Sequence, residues 1–103
     1  MLVKNYFNSV GSRVFYSLIL KGRKHFGYYP EDEEYLPIQR AQELMEDKLA
    51  EKLNLPAGAH VLDAGCGEGK VAVYLVEKYG LRVSGVDLMD WAIDNARENA
   101  LKA

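Results

Sequence analysis

Val61-Leu62-Asp63-Ala64-Gly65-Cys66-Gly67-Glu68-Gly69, answered further on by Val86-Asp87-Leu88, is the stretch on which the fold of this chain turns. A short apolar run enters three alternate glycines, a helix-forming segment follows, and a second apolar run ends in an acid. Glycines at 65, 67 and 69 permit a sharp turn and let a ligand come close to bare peptide groups. Asp87 stands 20 residues past Gly67, about the offset at which nucleotide-binding folds place a carboxylate on ribose hydroxyls.

Working outward, His60 to Ala64 is expected as a first strand and Arg82 to Asp87 as a second. Between them Lys70 to Tyr79 fits a helix, with Val71, Leu75 and Tyr79 on one side and Gly80 as its stop. Strand, crossover helix and strand imply a parallel pair with a right-handed connection. Gly85 inside the second strand suits the close approach of a neighbour or ligand, or a packing bulge. Asp90 is placed to cap a last helix that turns Ala92, Ile93, Ala96 and Ala100 inward.

Upstream, Pro37 suits the start of a helix. Ile38, Ala41, Leu44, Met45, Leu49 and Leu53 then recur at three- and four-residue steps as one apolar stripe. Asn54-Leu55-Pro56-Ala57-Gly58 ends it. A further helix is expected around Tyr6 to Leu20, broken near Gly22 and Gly27 and closed by Pro30. The chain thus divides into a helical segment over residues 1–35 and, over residues 36–103, a helix followed by a β–α–β–α unit.

At 103 residues there is room for one small domain. The formal net charge of −2 points to no nucleic-acid partner. That sum hides an asymmetry, because no acid precedes Glu31 while Lys4, Arg13, Lys21, Arg23 and Lys24 are basic. With Tyr6, Phe7, Phe15, Tyr16, Phe26, Tyr28 and Tyr29 this segment could face an anionic or lipid-like surface; a helix with a solvated positive side explains it as well. A single cysteine excludes an intrachain disulfide framework and fits a reducing, cytoplasmic setting. Val14 to Leu20 is far shorter than the ~20 apolar residues that span a bilayer, and Arg13 interrupts any signal-peptide core. His25, His60 and one cysteine give no metal-ligand spacing.

The motif resembles class I S-adenosylmethionine-dependent methyltransferases more than a dinucleotide fold. Its spacing is G-x-G-x-G, where the dinucleotide fingerprint is G-x-G-x-x-G, and a carboxylate at Asp63 would repel a pyrophosphate. The resemblance extends through His25-Phe26-Gly27-Tyr28-Tyr29, the acidic run after it, and the helix that ends in Leu-Pro-Ala-Gly. Its nearest branches act on sterols, tocopherols, quinones, methylated glycines and cyclopropane fatty acids. It implies an α/β, Rossmann-like fold with an N-terminal helical lid, S-adenosyl-L-methionine as cofactor, and a small-molecule methyl acceptor.

Residue by residue, the resemblance gives Asp63 to the polar network at the methionine end of the cofactor. It packs Gly65, Cys66, Gly67 and Gly69 against the adenosyl and methionine portions and puts Asp87 on the ribose. Bonds to such a charged acceptor contribute about 1.5–3 kcal/mol each. Leu88 and Met89 would lie on the adenine and Tyr28 in the lid. Each has a plainer alternative: a loop-capping acid for Asp63, a turn acid for Asp87, core positions for Leu88 and Met89, and an aromatic cluster for Tyr28 and Tyr29. His25 is more simply a helix-end residue than a base, and Cys66 a small loop residue than a nucleophile. No catalytic residue is assigned.

Only the first part of the family's seven-stranded sheet is covered, so the first strand is expected to carry an open edge. The chain is expected to be a truncated or partial methyltransferase, or one that another chain completes; the open edge favours self-association, and the 103 residues alone are not expected to turn over substrate. Two other functions compete with methyl transfer: a non-catalytic remnant or interaction module, and half of an NAD-dependent oxidoreductase.

Overall fold

The computed structural model describes residues 22–33 and 35–103. The helix expected around Tyr6 to Leu20 lies outside them. Their order is α1 (Ile38–Leu53), β1 (His60–Ala64), α2 (Lys70–Tyr79), β2 (Arg82–Val86) and α3 (Asp90–Lys102). β1 and β2 pair in parallel, from His60 opposite Arg82 to Ala64 opposite Val86. Each element starts and stops where local chemistry directs it. Pro37 precedes α1 with φ −56°, and Asn54 ends it in the left-handed region, its N–H donating to the Ala50 carbonyl. Gly80 closes α2 the same way, on the Val76 carbonyl.

The core lies between one face of the two strands and helices α1 and α2. Ala50, Leu75 and Leu81 are buried there, with Val61, Val71, Tyr79 and Val83 packed against them. Leu62 and Val86 point to the opposite face and are 66% and 51% exposed. On the outer side, Asp47 of α1 ties down α2. It accepts hydrogen bonds from Tyr79 Oη at 2.6 Å, Tyr74 Oη at 2.9 Å and Lys78 Nζ at 2.9 Å. Burial pushes the Asp47 carboxyl up, but these donors more than offset it and leave it below its ordinary value. Tyr79 moves the other way, pushed up to about 12 by burial and by Asp47.

Three details depart from the local expectations. α1 buries Ala41, Gln42, Glu46 and Ala50, whereas Met45, Leu49 and Leu53 of the apolar stripe stay exposed. The helix is rotated because residues 22–28 supply partners for its polar side chains. β2 stops at Val86 and leaves out Asp87, whose carboxylate turns back to take backbone N–H groups. Asp90 does not cap α3: the N-cap is Met89, with no side-chain cap. Asp90 instead lies in the first turn, where its charge still complements the helix dipole. Of the positions expected inward on α3, Ala92 is fully buried, Ile93 and Ala96 are half-buried, and Ala100 is exposed.

Gly85 proves to be a site of close approach, and the neighbour is Cys66. A Cβ at position 85 would stand 2.7 Å from Cys66 Sγ and 2.9 Å from Cys66 Cβ. Gly85→Ala should therefore lower stability by about 1–3 kcal/mol through overpacking. Adding Cys66→Gly should recover most of it, and thermal melting of the single and double variants checks this.

Candidate functional site

Gly65, Gly67 and Gly69 all take positive φ, at 76°, 57° and 78°, a region that L side chains rarely adopt. The loop they form is stapled to the end of β2. Gly65 and Cys66 N–H both donate to the Val86 carbonyl, at 2.7 and 2.9 Å. Gly67 N–H donates to Asp87 Oδ2 and Met89 N–H to Asp87 Oδ1, each at 2.9 Å. Asp87 is thus held by the backbone, and each oxygen keeps a lone pair for an outside donor.

A second anchor comes from α3. Glu68 is buried, accepts from Asn95 Nδ2 at its carboxylate (3.1 Å), and its carbonyl accepts from Asn99 Nδ2 (2.8 Å). Gly69 backs onto Ala96, whose Cβ would lie 3.2 Å from a side chain there. Sequence reading missed Glu68; the i, i+4 asparagines on α3 were its only signal.

In front of the loop lies a cleft of about 640 Å³. One wall is Asp63, Gly65, Cys66, Gly67 and Val71; the other is Gly22 to His25 with Met45, Glu46 and Leu49. Among the described residues nothing lies within 4 Å of where a Gly65 side chain would begin, so they leave that face of the loop open. Asp63 is half-buried, and among the described residues no donor reaches its carboxylate. Burial, then the charges of Asp87 and Glu46, push its carboxyl up; a cation is the group that would relieve it. Burial and then Asp63 and Asp87 push the Cys66 thiol up as well, which disfavours a nucleophilic thiolate.

The remaining sequence candidates fall at different places. Asp87 is not in the cleft lining but is bonded to Gly67, which is. Leu88 is 62% exposed and Met89 only 3%, so Leu88 offers a surface while the Met89 side chain is core and its N–H serves Asp87. Tyr28 is outside the lining. Its ring lies 4.9 Å from Lys48 Nζ, and its N–H donates to the Ala41 carbonyl.

Residues 22–28 form an irregular strap across the cleft. Glu46, 2% exposed, holds it: Arg23 Nε and His25 Nε2 each lie 2.7 Å from Glu46 Oε2. His25 Nδ1 lies 2.8 Å from the Phe26 carbonyl. Both ring nitrogens thus face oxygen acceptors, which suits the imidazolium. The bond to Glu46 raises the His25 pKa in spite of burial. Gln42 completes the group, with Nε2 on the His25 carbonyl at 2.8 Å. Spacing alone could not reveal these pairings, since Glu46 is 21 and 23 residues from its partners.

An open glycine cradle, an acid beside it that no donor among the described residues reaches and a backbone-held acid behind it fit S-adenosylmethionine, whose amine and ribose hydroxyls would answer the two acids. The pattern of the mycolic acid cyclopropane synthetase family matches residues 8–102. The chain belongs to that family and has the fold of class I S-adenosylmethionine-dependent methyltransferases. An S-adenosyl-L-methionine-dependent Diels–Alderase, iccD, of Talaromyces variabilis is 47% identical over 102 residues, covering 98% of this chain and 35% of that protein. A second, iliD, of Neonectria sp. (strain DH2) is 41% identical, covering 98% and 41%. The solved structure of mycolic acid cyclopropane synthase CmaA1, complexed with S-adenosylhomocysteine and CTAB, superposes with TM-score 0.71 at 28% identity, covering 79% of this chain and 28% of that one. The chain therefore spans between about a quarter and two-fifths of the length of these proteins. The cofactor is S-adenosyl-L-methionine, which sets aside the NAD alternative.

Asp87→Ala should weaken S-adenosylhomocysteine binding by roughly 2–4 kcal/mol, measured by calorimetry. An unchanged constant in a folded variant would reduce Asp87 to a loop anchor. For His25 the folded pKa exceeds the unfolded one. Its stabilisation of the strap is full below about pH 6.5 and is lost as pH rises through the raised folded value. An NMR titration should place the His25 midpoint above the ordinary histidine value, and Glu46→Gln should bring it down.

Proposed function

We propose that this chain is the cofactor-binding portion of an enzyme acting on a small organic molecule, and that the reaction is a [4+2] cycloaddition within a substrate carrying a diene and an alkene. The observation that carries this is the 47% identity to a Diels–Alderase across 98% of the chain. The cleft suits such a step. A concerted cycloaddition moves no proton, so it needs a shaped, partly apolar cleft rather than a base. Met45, Leu49 and Val71 give apolar lining, while Glu46 and His25 are engaged with each other. The cofactor would act as part of the cleft wall, its sulfonium charge close to the substrate.

Membership of the cyclopropane synthetase family over residues 8–102 supports a second reading, methyl transfer to a small, lipid-like acceptor. There the bound cofactor supplies an electrophilic methyl, and the strap and glycine loop position it and exclude water. No helix among the described residues is long and apolar enough to cross a membrane.

Mass balance separates the two. The complete enzyme of which this chain is the cofactor-binding portion, given methyl-deuterated S-adenosylmethionine and a linear diene–alkene substrate, should yield an isomer of the substrate without deuterium, with the cofactor recovered intact. A deuterated product, with S-adenosylhomocysteine formed in equal amount, would overturn cycloaddition in favour of methyl transfer.

A further inference from the structure

The strap is seated at both ends and held by side chains between them. At one end a Gly22 side chain would meet the Glu68 carboxylate. At the other, Tyr28 N–H donates to the Ala41 carbonyl at 2.8 Å, and a Gly27 side chain would stand 2.5 Å from Ala41 Cβ. Among the described residues no backbone–backbone hydrogen bond holds residues 22–27. Their hold on α1 is Arg23 and His25 on Glu46, and Gln42 on the His25 carbonyl. We propose that the strap is a proton-operated latch on the cleft, which His25 closes when both ring nitrogens carry a proton and loosens when one proton is lost. The proposal rests on the cleft being the cofactor site.

The ring is placed to sense its own charge. Nε2 lies 2.7 Å from Glu46 Oε2 and Nδ1 lies 2.8 Å from the Phe26 carbonyl. A carboxylate and a carbonyl only accept, so both contacts are hydrogen bonds only for a ring with two N–H groups. A neutral ring has one, and its other nitrogen sets a lone pair against an oxygen lone pair. Its bond to Glu46 also loses the charge that makes such bonds strong. Glu46 and Gln42 face the ring from α1, Arg23 and the Phe26 carbonyl from the strap itself. Glu46 favours the second proton and the Arg23 charge opposes it. Further out, Asp63 of β1 feels the Glu46 charge, and Tyr74 of α2 lies by Arg23, its ring centroid 5.8 Å from the guanidinium. The bond to Glu46 outweighs burial and lifts the His25 pKa. The closed latch is therefore favoured at low pH and weakens as pH rises through that lifted value. The His25 side chain is 31% exposed and exchanges its proton with water, whereas Glu46 at 2% has no such access. Arg23 stays charged throughout and keeps its contacts of 2.7 and 3.4 Å with Glu46, so the latch loosens rather than opens.

Linkage fixes the size of the effect from two sides. Whatever factor His25 protonation adds to cofactor affinity, the cofactor adds to the proton affinity of His25. In the complete enzyme that carries this chain, calorimetry should show the S-adenosylhomocysteine dissociation constant rising about threefold or more between about pH 6 and pH 8.5. On saturation with the same ligand the His25 midpoint, read by NMR, should move up by the logarithm of that factor, about half a pH unit for threefold. His25→Gln keeps a donor for Glu46 and does not titrate, so it should lose the rise and bind as the unaltered enzyme does at the upper pH. Asp63 and the ligand's own amine are common to both proteins, and the difference between them belongs to His25. His60→Gln, at the exposed contact with Ser84, should keep the full rise. A rise as steep in H25Q as in the unaltered enzyme, its loss in H60Q, or a His25 midpoint that the ligand does not move would each overturn the latch. Should H25Q fail to fold by circular dichroism, the midpoint with and without ligand decides alone. Failure of the cofactor assignment would look different, as absence of heat at every pH with the unaltered enzyme, and would overturn the latch with it.

Discussion

Four backbone N–H groups converge on two consecutive residues at the end of β2. Those of Gly65 and Cys66 meet the Val86 carbonyl, and those of Gly67 and Met89 meet the Asp87 carboxylate. The rest of the site depends on this convergence. It joins the loop after β1 to the turn after β2, fixes three glycines in the left-handed region, and aims the start of α2. It also consumes only half the accepting capacity of Asp87, so the side chain that builds the loop keeps lone pairs for an outside donor. Cys66 can be drawn this close to β2 only because residue 85 has no side chain.

Glu46 imposes the second constraint. Burying a carboxylate costs several kcal/mol unless charges and hydrogen bonds compensate it, and here Arg23 and His25 do so. The compensation reaches across the cleft from a segment without regular structure, so the cost of the buried acid becomes the means by which the strap is located. Gln42 belongs to the same arrangement, although its Oε1 is buried without a partner among the described residues; we have no physical account of that atom. On the far side of the sheet the balance is different. Leu62, Val86 and Leu88 leave apolar surface in water, as is expected where a parallel sheet is covered on one face only. The chain spans about a third of the Talaromyces relative's length, and a complete sheet of that class is covered on both faces.

The sequence by itself determined the elements whose causes are local. α2 and the span of α1 are set by hydrogen bonds between near neighbours, by a proline and an asparagine at the ends of α1, and by Gly80, while β1 is a short run bounded by Gly58 and Gly65. The glycine loop and Asp87 were legible too, because a positive φ favours glycine and the offset between loop and acid is a property of one β–α–β unit. What only the tertiary structure decided depends on partners far away in the chain. The buried face of α1 is polar at Gln42 and Glu46 because residues 23–25 sit beside it, and no periodicity within α1 announces that. β2 ends one residue early, and Met89 goes inside, because Asp87 turns back to bind the loop. Lys24 lies against Gly67 because its neighbours Arg23 and His25 are held by a helix more than twenty residues on. Spacing records contacts within a turn or a strand; it does not record which side of a cleft a distant segment will cross.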